Sequence, residues 1–216
     1  MIDDVIQTTL DKKLIAIVRG MEESQILPLA EALRDGGIRM IEVTFSLKNP
    51  DSFSGTARSI AAMKKAFGGE VLVGAGTVVS PELVDIAADA GAEYIISPNV
   101  DAGVIRRTIE RGLVSMPGAL TPSECMAAHN AGAHFIKLFP AGNFGPGYLK
   151  ALRAPLSHIR FLAVGGINEK TLGGYLEAGA VGFGIGGNLV NAEWIAAGEY
   201  GKITALARQY VEAVNG

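Results

Sequence analysis

Two charged residues stand inside apolar runs, where a charge is costly to hold: Lys137 within Phe-Ile-Lys-Leu-Phe and Glu42 within Met-Ile-Glu-Val-Thr-Phe. The eight other lysines, among them Lys64, Lys65 and Lys170, fall in helical or loop patterns where a solvated head is easy. A lysine in a desolvated pocket holds its proton less tightly, because burial penalises the charged form. Its neutral amine can then attack a ketone to form a Schiff base. A carboxylate nearby is the natural proton shuttle, a part open to Glu42. The plainer alternatives are a structural ion pair between Lys137 and Glu42, a snorkelling lysine, or a glutamate that merely neutralises Arg19.

Other residues are placed to shape a site around this pair. Thr44 lies two residues past Glu42, so on a strand both share one face and point toward the same cavity. Arg19 ends the run Ile-Ala-Ile-Val-Arg, where a guanidinium can clamp a carboxylate or phosphate bidentately or make a rim salt bridge. The pairs Gly165-Gly166 and Gly186-Gly187 each follow an apolar run, and backbone N–H groups there, at the start of a following helix, can cradle a phosphate; tight turns without a ligand are the alternative. Thr77, closing Val-Gly-Ala-Gly-Thr, and Pro98-Asn99 are better placed to line a cavity than to react.

Gly182-x-Gly184-x-x-Gly187 formally matches a dinucleotide fingerprint. It falls within the last apolar run rather than after the first, so it is discounted. His129, His134 and His158 have no metal-ligand spacing, and no metal or other cofactor is expected.

The elements that must position these residues recur as one phrase: a helix-like stretch, one or two glycines, then a run rich in Val, Ile and Phe. RDGGIRMIEVTF, ADAGAEYIIS, IERGLVSMPG, HNAGAHFIKLF and LEAGAVGFGIG are examples. Glycine supplies the left-handed helix C-cap, and the run after it reads as a buried parallel strand. Eight strands are predicted, near residues 14–19, 40–45, 71–77, 94–98, 113–117, 135–139, 160–165 and 181–186. Ser80-Pro81-Glu82 and the capping box Thr121-Pro-Ser-Glu124 mark helix starts, and Ile203, Leu206, Ala207, Tyr210, Val211 and Val214 give a closing helix its apolar face. Eight βα units over residues 1–216, with no linker, predict one domain, a (β/α)8 TIM barrel; a doubly wound open sheet is the weaker alternative. In such a barrel the site sits at the C-terminal ends of the strands.

Composition narrows the function classes. The chain has 216 residues, 49% of them hydrophobic, and a formal net charge of -3 with no long basic cluster, which argues against nucleic-acid binding. The longest uncharged run, Ala178 to Ala192, contains five glycines and is too short and broken to cross a bilayer. The acidic start MIDDVIQTTLDKKL does not resemble a signal peptide, and Cys125, the single cysteine, fits a reducing compartment; a cytoplasmic protein is expected.

Taken in order, Ile-Glu-Val-Thr-Phe, Val-Gly-Ala-Gly-Thr-Val, Ile-Ser-Pro-Asn, Met-Pro-Gly-Ala, Phe-Ile-Lys-Leu-Phe-Pro-Ala and Val-Gly-Gly-Ile resemble the class I 2-keto-3-deoxy-6-phosphogluconate (KDPG) and 4-hydroxy-2-oxoglutarate (KHG) aldolases. The resemblance runs from about Leu14 to the C-terminal helix. It implies Lys137 as the Schiff-base lysine, Glu42 as the acid/base carboxylate, Thr77, Pro98 and Phe139 around the pyruvyl moiety, the glycine pairs at the phosphate end, no metal, and a homotrimer. Against the phosphogluconate branch, Ser46 stands where an arginine is frequent, Val164 replaces a threonine, Asn188 replaces a serine at the anion end, and the Leu47 to Asp51 segment is longer. Arg19 can take over anion binding.

The expected reaction is retro-aldol cleavage of a small-molecule 2-keto acid: KDPG to pyruvate and glyceraldehyde 3-phosphate, KHG to pyruvate and glyoxylate, or the galactonate epimer of KDPG. The rivals are a phosphosugar isomerase or epimerase with Glu42 as base, and a non-catalytic phosphate-ligand binder. Neither needs a buried amine.

Overall fold

A computed structural model describes residues 2–216. Its strands are β1 (Leu14–Val18), β2 (Met40–Thr44), β3 (Leu72–Gly76), β4 (Tyr94–Ile96), β5 (Val114–Met116), β6 (Gly118–Ala119), β7 (Ile136–Leu138), β8 (Phe161–Val164) and β9 (Gly182–Ile185). All pair in parallel, in the order β5-β4-β3-β2-β1-β9-β8-β7-β6. The eight expected strands are all present. The fifth is broken at Pro117, which has no N–H to give to a ladder, so one half pairs with β4 and the other with β7. Because β5 and β6 are consecutive pieces of one segment, the ring closes through it, and the expected barrel stands in place of an open sheet.

The helix-to-strand joints form as the sequence predicts. Gly37, Gly91, Gly112, Gly132 and Gly179 all have φ between 71° and 101°, the left-handed region in which a Cβ is penalised. Ser80 Oγ accepts from the Leu83 amide at 3.4 Å. At Thr121, Oγ1 accepts from the Glu124 amide at 3.3 Å while Glu124 Oε2 accepts from the Thr121 amide at 2.8 Å, the reciprocal bonds of a capping box. The closing helix spans Tyr200–Asn215 and buries Ile203, Ala207, Tyr210 and Val214.

Alternation along the strands sorts side chains into two cores. Ile41, Val43, Val73, Ile95, Ile136, Ala163 and Phe183 face outward against the helices, while Ile15, Met40, Tyr94, Val114, Phe135 and Leu162 fill the interior. Burying a side chain of this size contributes about 1.5–3 kcal/mol. The N-terminal helix, Ile2–Lys12, which the sequence reading did not anticipate, adds Val5 to the inner core and packs Ile2, Ile6 and Leu10 against it. Apolar packing thus fills the barrel interior, and the polar chemistry is left to the other end.

Candidate active site

A cavity of about 630 Å³ opens where the strands end. Lys137 from β7 and Glu42 from β2 both line it, together with Arg19, Thr77, Pro98, Phe139, Gly165, Gly166, Gly186, Gly187 and Asn188. Of the residues expected at the site, Thr44 alone lies elsewhere. It lines a neighbouring cleft of about 390 Å³, and its hydroxyl is buried without a hydrogen-bond partner. Thr44 is the last residue of β2 and lines this cleft with Val18 and Val43, not the central cavity. Val164, Met21, Ile17 and Ile167 also line the cavity; of these, only Val164 had been singled out.

The two charged groups are deeply placed: Lys137 is 7% exposed and Glu42 2%. Burial, the largest influence, lowers the Lys137 pKa; the Glu42 charge opposes that and Arg19 adds to it. Burial likewise raises Glu42 above the ordinary carboxylate range, against the pull of Lys137 and Arg19. Among the described residues neither Lys137 nor Arg19 makes an ion pair with Glu42. The structural alternatives raised by the sequence, a closed Lys137–Glu42 pair or a glutamate consumed by Arg19, are therefore not formed. Lys137 Nζ sits 4.8 Å from the centre of the Phe139 ring, which supports the amine from the strand's end.

Glu42 owes its position to β3. A Cβ on Gly76 would collide with the Glu42 carboxylate, so the glycine makes the space into which that side chain leans. Thr77, the next residue, has φ 57°. A β-branched residue in that region costs about 1–3 kcal/mol and is typical of sites where surrounding structure enforces the geometry.

The two glycine pairs differ in kind. Gly165 and Gly166 have φ 91° and 76°, conformations suited to glycine, whereas Gly186 and Gly187 are not in that region and have open space where a Cβ would stand. Contrary to expectation, neither pair opens a helix directly; both lie in turns, and the helix after the first begins only at Leu172. Among the described residues the amides of Gly166, Ile167, Gly187 and Asn188 donate to no protein group. Asn188 ties the turns together, its Nδ2 donating to the Ile167 carbonyl at 2.8 Å. Two linked turns thus present free N–H groups at one end of the cavity, an arrangement suited to an oxyanion.

The remaining motifs fall away from this chemistry. Gly182 and Gly184 lie inside β9 and leave room for Leu162 and Val164 of β8. The His129 and His158 rings stack edge to face at 4.8 Å, and His134 Nδ1 accepts from the Ser115 amide, around a separate cavity. Among the described residues no group of three or more His, Cys, Asp or Glu is arranged to hold a metal ion.

Several known aldolases are similar to this chain. The 2-dehydro-3-deoxy-6-phosphogalactonate aldolase of Escherichia coli is 38% identical over 93% of this chain and 96% of its own. The KHG/KDPG aldolase of the same organism is 35% identical over 92% of this chain and 89% of its own. Among solved structures, the KDPG aldolase of Legionella pneumophila, with pyruvate captured as a covalent carbinolamine, superposes with a TM-score of 0.84 at 29% identity, covering 94% of this chain and 96% of that one. A profile of KDPG and KHG aldolases matches residues 3–206, taking in every strand of the barrel and every group that lines the cavity, so the chain belongs to the KDPG and KHG aldolase family.

Proposed function

We propose that the chain is a Schiff-base aldolase that cleaves a 2-keto-3-deoxy-6-phospho sugar acid, KHG, or both, with Lys137 as nucleophile and Glu42 as proton shuttle. The observation that carries this reading is a nearly buried amine sharing one cavity with a buried carboxylate without closing an ion pair on it. Lys137 Nζ attacks the C2 ketone, and the carbinolamine loses water to give an imine, with Glu42 relaying the protons. Glu42 then takes the C4 hydroxyl proton, the C3–C4 bond breaks into the imine, and an aldehyde leaves. The enamine of pyruvate is protonated at C3 and hydrolysed, consuming the water released earlier.

Thr77, Pro98 and Phe139 surround the pyruvyl end in this reading, and the linked turns at Gly165-Gly166 and Gly186-Gly187 take the phosphate, with Arg19 at the rim. The galactonate epimer is a second reading, supported by the 38% identity to the 2-dehydro-3-deoxy-6-phosphogalactonate aldolase of Escherichia coli; the departures at Ser46, Val164 and Asn188 leave the preference between epimers open to test. Val164 lines the cavity, so a methyl there replaces a hydroxyl that could bond substrate. Relative kcat/KM for KDPG, its galactonate epimer and KHG tests the assignment. Cleavage of at least one supports it, and no pyruvate from any of the three refutes it.

The phosphate end has its own test. Because Gly186 has neither a strained φ nor a neighbour in the way, Gly186→Val is expected to fold normally. It should raise KM for the phosphorylated substrate by about tenfold or more while changing KM for KHG little. Equal losses on both would remove the phosphate from this end. A cytoplasmic homotrimer completes the proposal. Phe144 and Leu47, 48% and 49% exposed, are apolar surface available for subunit contacts, and the trimer is checked by sedimentation. No described helix is long and apolar enough to cross a membrane.

A further inference from the structure

The chain has three histidines, and all of them line one cleft of about 250 Å³ together with Phe135 and Arg160. His129 stands in the last turn of the helix Pro122–Asn130, His134 just before β7, and His158 and Arg160 just before β8. The cleft therefore lies at the N-terminal end of the barrel, away from the cavity that holds Lys137.

The hydrogen bonds fix what these side chains can offer. The Ser115 amide donates to His134 Nδ1 at 3.0 Å, so Nδ1 carries no proton and the neutral ring carries it on Nε2. Among the described residues that Nε2–H has no acceptor, yet it is not sealed from solvent. Burial, and then Arg160, lowers the His134 pKa, so the ring stays a neutral donor. Arg160 lies 5.8 Å from the centre of the Phe135 ring and among the described residues makes no ion pair or hydrogen bond. His129 and His158 meet edge to face at 4.8 Å and bond no other group. No Asp or Glu lines the cleft.

A metal ion does not suit this set, because His134 has one nitrogen taken by the Ser115 amide and the other protonated, and two imidazoles alone do not complete a site. What remains is a guanidinium fork, a fixed N–H and two imidazoles that become donors by taking up protons. Neighbouring positive charges disfavour one another, and an anion seated among them reverses that effect. A phosphate group has more acceptor oxygens and more charge than a carboxylate, and so uses more of these donors.

We propose that this cleft is a second anion site, separate from the catalytic cavity, which takes inorganic phosphate or the phosphate group of a small metabolite through the Arg160 guanidinium, the His134 Nε2–H and the imidazolium forms of His129 and His158.

Histidine-ring NMR tests it, because no histidine lines the catalytic cavity and the three ring signals report on this cleft alone. Inorganic phosphate is titrated against chloride at constant ionic strength near neutral pH, into wild type, Arg160→Gln and Gly186→Val. The ring signals should shift saturably, those of His129 and His158 toward imidazolium, while His134 keeps its neutral tautomer. Gly186→Val, altered at the other end of the barrel, should respond as wild type does. Arg160→Gln should bind about tenfold more weakly or worse, the scale of hydrogen bonds to a charged group, and should release pyruvate from substrate at the wild-type rate. Glycerol 3-phosphate in the same titration separates the two sources: tighter binding than phosphate assigns a phosphate ester, and equal or weaker binding assigns phosphate itself. Shifts that chloride reproduces, that Gly186→Val abolishes or that Arg160→Gln leaves unchanged would overturn the site. Ring signals that follow protein concentration and ignore phosphate would assign this face to subunit contact and overturn it as well.

Discussion

Lys137→Arg should abolish cleavage of every keto acid the wild type accepts. The substitution retains positive charge, a long aliphatic stem and contact with the Phe139 ring. A guanidinium nevertheless stays protonated at any pH the protein survives and cannot become an imine. The structure strengthens the expectation. Burial weakens the hold of Lys137 on its proton, and that adjustment serves an amine that must lose the proton, whereas arginine gains nothing from it. Lys137→Met, uncharged and similar in length, guards against misfolding: both variants should retain wild-type circular dichroism and both should be inactive. Substantial turnover by either folded variant would contradict covalent catalysis at this position.

Glu42→Gln should lower kcat by about 100-fold or more, the usual scale for removing a positioned proton-transfer group. Stability supplies an independent sign. Burial raises the folded-state pKa of Glu42 above its unfolded value, so its contribution to stability is fully present below the unfolded pKa and is lost as pH rises through the folded one. Above that window the fold carries a buried charge that glutamine does not have. The variant should therefore melt higher than wild type at pH 8, with the difference closing toward pH 4. Lower activity together with higher melting temperature marks a residue kept for chemistry at the expense of stability. Nearly normal activity would assign the proton transfer to another group.

The sequence carried the barrel in its punctuation. The helix–glycine–apolar phrase is local, and its glycines adopt the left-handed conformation the phrase requires. Lys137 and Glu42 were legible because a charge inside an apolar strand has few explanations. Period-two alternation then fixed their face, which the two cores confirm for their neighbours. What could not be read was geometry created by distant parts of the chain. Alternation puts Thr44 on the same face as Glu42, but the cleft it lines is formed with Gly20, Glu22 and Ile26 from an earlier part of the chain. Asn188 looked like a ligand contact, yet its side chain joins two turns, a bond between residues 21 positions apart.

The most direct measurement is reductive trapping. Incubation with pyruvate and sodium borohydride, followed by mass spectrometry of the digested protein, should place one reduced pyruvyl adduct on the peptide containing Lys137. No adduct should form on Lys137→Met. An adduct on a different lysine, or none under conditions where wild type cleaves its substrate, would contradict the account of Lys137 as the nucleophile of this barrel.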